Sequence, residues 1–460
     1  MRTKLLALIT VSLLWSCSDF LEPEPQQSIP DTFERNAAAL INMANGMYDE
    51  LQDSDLFGMN LIGISGFAAD DAIWQGSFTS YTEIATKGML SNNGEATGTW
   101  QDGYQAINRA NTVLLNVPLV NDFQPNEANQ LTGEAYFIRA LVHFELAKWF
   151  SLPWADGNGS QLSVPVILDP TTESADITSP SRNNLGEVIA QVIADAEQAI
   201  ALLDATGSRG INFASADAAR ALLMNVYLYQ GDYANALSYA NQLISSNRYA
   251  LEATPLAYVQ RNTGEAIFEI LMNDQDNPGN LSLSSYHRPG VPDGSGRGDI
   301  VATASLLAAY WPNDLRNDYL VSGGQFFTNK FPNDGTNTDN PTVYRYAEVL
   351  LTAAEALVET TNSVDPTAVG YVSEIYTRAV PGAAALTVAD FASVADLRAR
   401  IRLERRLELA WDGHRLHDLR RYQAADVDGT GTSWNADELV WPIPQRDMDA
   451  NPNLVQNPGY

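Results

Sequence analysis

Ala218-Ala219-Arg220-Ala221-Leu222-Leu223-Met224-Asn225-Val226-Tyr227-Leu228-Tyr229, a break at Gln230-Gly231-Asp232, and Tyr233-Ala234-Asn235-Ala236-Leu237-Ser238-Tyr239-Ala240-Asn241-Gln242-Leu243-Ile244 make up the stretch that decides the fold. Apolar residues recur at helical spacing in both runs, and the glycine between them marks a turn. Two helices joined this way cannot bury their apolar sides alone, so further helices must lie against them.

The flanking sequence supplies those helices. Upstream, Val188, Ile189, Val192, Ile193, Ala196, Ala199, Ile200 and Leu203 form one continuous helix face between Gly186 and Asp204. The run Ala135 to Phe150 is apolar almost all round, which requires burial on several sides, as inside a stack of helices. Downstream, Tyr344 to Thr360 and Thr367 to Arg378 form a second candidate pair around Asn362-Ser363-Val364-Asp365-Pro366. The spacing of Tyr233, Ala236 and Ala240 resembles a degenerate tetratricopeptide unit, read as scaffold ahead of a concave peptide-binding face. The expected class is all-α, mostly helical, an α-α superhelix with long irregular loops and few short strands. Ala266 to Met272 and Gln325 to Phe331 are the strand candidates, one on each side of Asp274 to Asp299, where Gly, Pro, Asn, Asp and Ser predominate. A loop that long is either functional or disordered. Ser151 to Ser181, rich in proline and glycine around Trp154, reads as a surface connection.

The chain has 460 residues, enough for a large core, and no low-complexity linker divides it. Its 45% hydrophobic content is globular, but 56 Asp and Glu against 27 Lys and Arg give a net charge of -29. That balance argues against binding nucleic acid or an anionic lipid surface by bulk electrostatics. The acidity also keeps a surface protein soluble without any meaning for a ligand.

At the N-terminus, Met1-Arg2-Thr3-Lys4 precedes a short apolar run from Leu5 to Leu14 and then Trp15-Ser16-Cys17, the only cysteine. Positive charge followed by an apolar stretch too short to span a bilayer reads as a signal peptide over residues 1–16. Cys17 directly after a small residue resembles a lipobox, although Trp15 stands where a small residue is usual. Acylation of Cys17 would put several acyl chains on the protein, enough for stable membrane anchoring. Residues 17–30, with Glu22-Pro23-Glu24-Pro25-Gln26-Gln27, read as an extended tether, and 31–460 as a single helical domain.

Catalytic machinery finds no positive support. No Gly-rich phosphate loop, nucleophile elbow or zinc motif occurs. His143 lies in the apolar helix and reads as a core histidine. His414, His417 and Asp418 share a helical spacing suited to a metal, but the run lies among arginines that repel a cation, and no metal ligand set is expected. A glycosidase needs only two carboxylates, and so acidic a chain always offers some pair. A structural calcium ion among the acidic loops stays open, since no loop matches a known ligand spacing. No other cofactor is expected.

The segment Arg398 to Arg421 is the most unusual. Arg400 with Glu404 and Arg405 with Glu408 fall at helical pairing distances, and Leu403, Leu407 and Trp411 line another face, which reads as an ion-paired helix docked on the fold. Within it, Glu404-Arg405-Arg406-Leu407-Glu408, Asp412-Gly413-His414-Arg415 and Asp418-Leu419-Arg420-Arg421 resemble the C-terminal signature of the SusD/RagB family. Other pieces match in order: Cys17-Ser18-Asp19-Phe20-Leu21-Glu22; Trp100, Tyr104, Ile107 and Asn111; and Gly133 to Ala140. Then come Tyr344 to Leu351 with Ala354 to Leu357, Trp441-Pro442-Ile443-Pro444, and Asn453 to Tyr460. Two places depart from the pattern: Phe150-Ser151-Leu152-Pro153 lacks a usual glycine, and Glu374 to Arg378 lacks a usual central arginine.

What the resemblance implies is a non-enzymatic, lipid-anchored protein on the cell surface of an outer membrane. It would capture an oligosaccharide or polysaccharide and act as the lid of a SusC-like TonB-dependent transporter. Asp19 resembles the signal that sends such lipoproteins to the exterior. The alternatives are a peptide-uptake member of the same family and, from another class, a secreted glycosidase. A pyranose stacks its apolar face on a ring while its hydroxyls need side-chain partners, so aromatics outside helical core patterns are the glycan candidates. They are Trp74 and Tyr286 first, with Asp71, Phe78, Tyr81, His287, Arg288 and Trp311. Around Trp74, the competing reading makes Asp70 or Asp71 a helix cap and the rings core.

Overall fold

The computed structural model describes residues 35–173 and 176–460. The signal peptide, Cys17, Asp19 and the tether lie outside them. Among the described residues no helix is long and apolar enough to cross a membrane.

The helices follow the periodicity of the sequence. Those of seven residues or more begin with α1 (Ala37–Gln52), α2 (Asn60–Phe67), α3 (Thr79–Ala85), α4 (Gly94–Asn116), α5 (Glu127–Phe150), α6 (Leu185–Leu202), α7 (Ala216–Gln230) and α8 (Tyr233–Ser245). After a long loop-rich region come α9 (Tyr346–Thr361), α10 (Pro366–Ala379), α11 (Val394–Glu408) and α12 (Arg415–Arg421). The turn between α7 and α8 works as its residues dictate. Gly231 ends α7 at φ 74°, a left-handed conformation that costs glycine nothing, and the Asp232 side chain accepts from Asn235 N to start α8. The second pair uses the same devices, Asn362 at φ 47° and Asp365 capping α10 ahead of Pro366.

Successive long helices pack on one another, α4 on α5, α5 on α6, α6 on α7, α7 on α8, and α8 on α9. Helix α5 sits inside this stack, also touching α1 and α7. From Ala135 to Phe150 only Tyr136 and Lys148 are not buried, the burial an all-round apolar helix needs. One hydrophobic cluster reaches from Leu40 in α1 to Leu454 near the C-terminus. His143 is buried in it. Its Nδ1 lies 2.9 Å from Arg139 O, and Ile167 N donates to Nε2 across 3.4 Å. Burial holds its pKa down at about 4.

Among the described residues strands are few and short, in three antiparallel pairs: β1 (Ala72–Trp74) with β3 (Ile300–Ala302), β2 (Ala266–Glu269) with β6 (Thr342–Arg345), and β4 (Tyr319–Ser322) with β5 (Gln325–Thr328). The strand candidates at Ala266 and Gln325 are present but stop at Glu269 and Thr328. Gly323 and Gly324, at φ 58° and 81°, make the hairpin turn whose twist suits its strands.

The C-terminal segment differs from the single ion-paired helix expected over Arg398 to Arg421. It breaks at Trp411 (φ 72°) and Gly413 (φ 86°). A Cβ on Gly413 would lie 2.9 Å from Leu61 O, so the backbone touches α2 where a side chain would not fit. Arg400 does pair with Glu404, at 3.0 Å, but Arg405 pairs with Asp418 at 2.8 Å rather than with Glu408. Glu408 turns to Arg345 at 2.7 Å and Arg378 at 2.5 Å, and the break delivers Asp412 to Lys330 at 3.0 Å and Arg345 at 2.8 Å. These long-range pairs outcompete local helical ones because they satisfy buried charges.

Candidate functional site

Strand β1 alternates as a half-buried strand should. Ala72 and Trp74 point in, while Ile73 is 49% exposed. Behind the strand, aromatic side chains from four elements converge. The Trp74 ring lies 4.8 Å from Tyr81 of α3, 5.7 Å from Phe67 of α2 and 5.9 Å from Tyr286, which a helical turn at Leu283–His287 supplies. Trp74 Nε1 donates to Thr82 Oγ1 at 3.1 Å, and the Tyr81 hydroxyl donates to Asn60 Oδ1 at 2.8 Å. Burial raises the pKa of both tyrosines, keeping them neutral phenols.

Phe78 is where this cluster reaches the surface. Its ring packs 6.3 Å from Tyr81 and 6.5 Å from Tyr286, yet the residue is 38% exposed. Arg297 lies over it, 4.6 Å from the ring centroid and 5.0 Å from that of Tyr286, with its Nε donating to Asp299 Oδ2 at 2.7 Å. Beside it, the side-chain amides of Gln75 and Gln325 hydrogen-bond reciprocally, and Gln75 Nε2 also donates to Gly298 O at 2.7 Å. Ile73, Phe78 and Phe326 are exposed apolar groups on β1, the turn after it and β5, and β5 packs on β3. An exposed ring, a guanidinium and two amides on a small strand platform can stack on an apolar ring face and pair with hydroxyls.

The other candidates sit elsewhere or deeper. Tyr286 is fully buried, Tyr81, Asp71 and His287 nearly so, and Trp74 shows little surface. These rings support the platform from below. His287 lies in no flexible loop: its Nδ1 is 2.8 Å from Leu283 O, its ring contacts Trp411, and burial holds its pKa at about 4. Arg288 is engaged by Asn329, to which its Nη1 donates, and by Asp334 at 3.8 Å. Trp311 donates from Nε1 to Glu404 Oε1 at 3.0 Å under the Arg400 guanidinium, against α10 and α11. Asp71 caps no helix. With Asp70 it receives Arg406 and Arg415, at 2.7 Å for Arg406 to Asp71 and 2.6 Å for Arg415 to Asp70. Those pairs clamp the strand carrying Trp74 to the C-terminal segment.

Arg297, Gln75 and Gln325 are the residues that reading the sequence misses. Nothing in Gly294-Ser295-Gly296-Arg297-Gly298 has a period, and the residues meet only when β1, β3 and β5 assemble. Glu404 and Glu408 form structural pairs, as do Arg415 with Asp70 and Arg421 with Glu355 and Asp418, while Arg420 donates to backbone carbonyls. His417 lies edge-on to Trp149 at 4.7 Å, and burial holds its pKa well below the usual value.

Residues 19–228 match a family model described as "Starch-binding associating with outer membrane", and residues 315–460 match that of the SusD family. Along its whole length the chain is 28% identical to SusD-like protein P2 of Formosa agariphila, all of which is covered. It is 25% identical to SusD-like protein P38 of the same organism, with 99% of this chain and 98% of that one covered. Among solved structures, a putative sugar binding protein from Bacteroides vulgatus superposes with a TM-score of 0.81 at 28% identity, over 94% of this chain and 100% of that one. A SusD superfamily protein from Bacteroides thetaiotaomicron shares the fold at 22% identity, with a TM-score of 0.80 over 92% of this chain and 100% of that one. With a helical stack interrupted by short strand pairs, a C-terminal segment matched by the SusD model and an N-terminal half matched by its sister model, the chain belongs to the SusD family, whose members are binding proteins rather than enzymes.

Proposed function

We propose that this protein captures an oligosaccharide or polysaccharide on the face built around Phe78. The observation that carries the reading is an exposed phenyl ring backed by buried aromatics and flanked by Arg297, Gln75 and Gln325. The exposed ring offers a stacking surface, and the guanidinium and amides offer donors and acceptors for sugar hydroxyls. Trp74, Tyr81 and Tyr286 hold the ring in place, and Asp71 holds Trp74's strand; His287, Arg288 and Trp311 belong to the surrounding frame. The family description, with its association with the outer membrane, supports a place at that membrane. In this reading Cys17 carries the lipid anchor and the protein faces the cell exterior. A SusC-like TonB-dependent transporter is its partner, closed by this protein as a lid and receiving the captured glycan.

The test is a panel of soluble polysaccharides followed by calorimetry on the best binder. Phe78→Ala and Arg297→Ala should each weaken binding by about tenfold or more, without change in the melting temperature beyond that of a surface substitution. Wild-type affinity in both variants would remove the Phe78 face from the reading. Release of reducing ends from the bound glycan would overturn a binding-only role.

A further inference from the structure

On the Phe78 face Arg297 is one half of an ion pair rather than a free cation. Asp299 Oδ2 accepts from its Nε at 2.7 Å, and the two side chains stay 27% and 13% exposed. The backbone fixes the acid in place: Asp299 N donates to Tyr286 O at 3.0 Å, and Gln75 N donates to Asp299 O at 2.8 Å. Its carboxyl group lies against Gly76, in the turn between Trp74 and Phe78, where a Cβ would come within 2.7 Å of Asp299 Cγ. A bare backbone at Gly76 therefore lets the carboxylate reach the loop that carries the exposed ring.

Each partner keeps hydrogen-bonding capacity to spare. Among the described residues the Nη groups of Arg297 donate to nothing, and Asp299 Oδ1 accepts from nothing. The guanidinium meanwhile lies over Phe78 and Tyr286. Donors on one side and a charged acceptor on the other match hydroxyls, each of which both accepts and donates. A carboxylate or sulfate offers acceptors alone. It would meet Asp299 acceptor to acceptor and charge to charge.

The surrounding chain repeats this balance. From residue 288 to 334, the stretch that holds β3, β4 and β5, every cation is already answered. Arg288 has Asp334 at 3.8 Å, Arg316 has Asp314 at 2.7 Å, and Lys330 has Asp412 at 3.0 Å. Asp293, exposed and bonded by Ser322 Oγ at 2.5 Å, forms no ion pair among the described residues, so the surplus here is acidic. The net charge of -29 on the whole chain has the same sign.

We propose that Asp299 is the specificity-determining contact of the Phe78 face: its Oδ1 accepts a hydroxyl of the captured glycan, its charge cancels that of Arg297, and the face selects neutral polysaccharides against carboxylated or sulfated ones. This rests on the Phe78 face being the site of capture. An arginine left free beside a stacking ring would take an acidic sugar through its fork of donors. The carboxylate at its Nε turns the same arginine toward hydroxyls.

The experiment uses the full chain and the best-binding polysaccharide of the panel, lightly carymethylated in one sample and hydroxyethylated to the same degree in another, so that added bulk is matched and charge differs. The best binder should be neutral. By calorimetry, wild type should prefer the hydroxyethyl over the carboxymethyl derivative by about tenfold, and by more at low salt, where screening is weaker. Asp299→Asn keeps an acceptor for Arg297 Nε and removes the charge. Its preference should fall to about one or invert, and it should bind the unmodified polysaccharide several-fold more weakly. Its melting temperature should stay near that of wild type, since an exposed pair contributes little. Asp390→Asn, at an exposed turn elsewhere, should keep the wild-type preference. An anionic best binder, equal wild-type affinity for the two derivatives, or an Asp299→Asn variant that matches wild type on all three samples would overturn the selectivity while leaving the face. Binding of the unmodified polysaccharide that survives Phe78→Ala would remove the face itself, and the role of Asp299 with it.

Discussion

Replacing Glu408 by glutamine tests the buried charge network directly. Glu408 is 1% exposed and stands among three guanidinium groups, Arg378 at 2.5 Å, Arg345 at 2.7 Å and Arg316 at 3.5 Å. Glutamine keeps the shape and one acceptor oxygen, but its amide nitrogen then meets a guanidinium donor to donor. Breaking one partner of a buried pair costs about 3–5 kcal/mol. The loss here belongs at the low end, near 3 kcal/mol, because no arginine is stranded. Arg316 retains Asp314 at 2.7 Å and Glu404 at 2.8 Å, Arg345 retains Glu265 and Asp412 at 2.8 Å each, and Arg378 retains Glu265 at 2.7 Å. Burial works to raise the Glu408 pKa, but Arg378, Arg345 and Arg316 outweigh it and hold it well below the usual carboxylate range. A depressed folded pKa contributes stability that is present above the unfolded value of about 4.3 and lost as the pH falls toward the folded value. The gap between wild type and Glu408→Gln should therefore be constant from neutral pH down to about 5 and narrow below about 4.3. Urea unfolding followed by tryptophan fluorescence, at matched m-values, measures it. A midpoint within error of wild type at neutral pH, or a gap that persists undiminished in acid, would refute the account of these pairs.

Other substitutions separate the platform from its support. Tyr286→Ala, fully buried, should cost about 3–5 kcal/mol of stability in the same urea assay, whereas Phe78→Ala should cost far less. Equal losses would mean that Phe78 is part of the core. Gly413→Ala should lower stability by about 1–3 kcal/mol, because the residue is left-handed and its added methyl would press on Leu61 O; an unchanged unfolding midpoint would contradict the close approach of α2. His143 should remain a neutral Nδ1–H tautomer in nitrogen-detected NMR down to about pH 5. Its folded pKa lies below the unfolded one, so it stabilises the fold above about 6.5 and that contribution is lost as the pH falls toward 4. Protonation near 6.5 would show that the pocket around it admits water.

Helices were legible in the sequence because their signals are local. Periodic apolar residues predict α6 through α10 to within a few residues, while α5 starts at Glu127, eight residues ahead of the apolar run that marks it, and Gly231 and Asp365 act as turn and cap by their own chemistry. The ordered motif set likewise pointed to the family from residue types alone. The pairing of charges was not legible. Arg405 had a partner at helical spacing in Glu408 and took Asp418 instead, since only packing decides which carboxylates are buried beside it. The platform was half legible. A run of aromatics after Asp70 marks the region, but Trp74 and Tyr81 of that run go inward, as does Tyr286, and Phe78 stays at the surface. Aromatic character favours burial for all of them, and the three-residue strand β1 with the turns around it decides which ring is left out. Arg297, Gln75 and Gln325 come together from segments far apart in the chain. Proximity of that kind is a property of the assembled fold, because no local spacing records it.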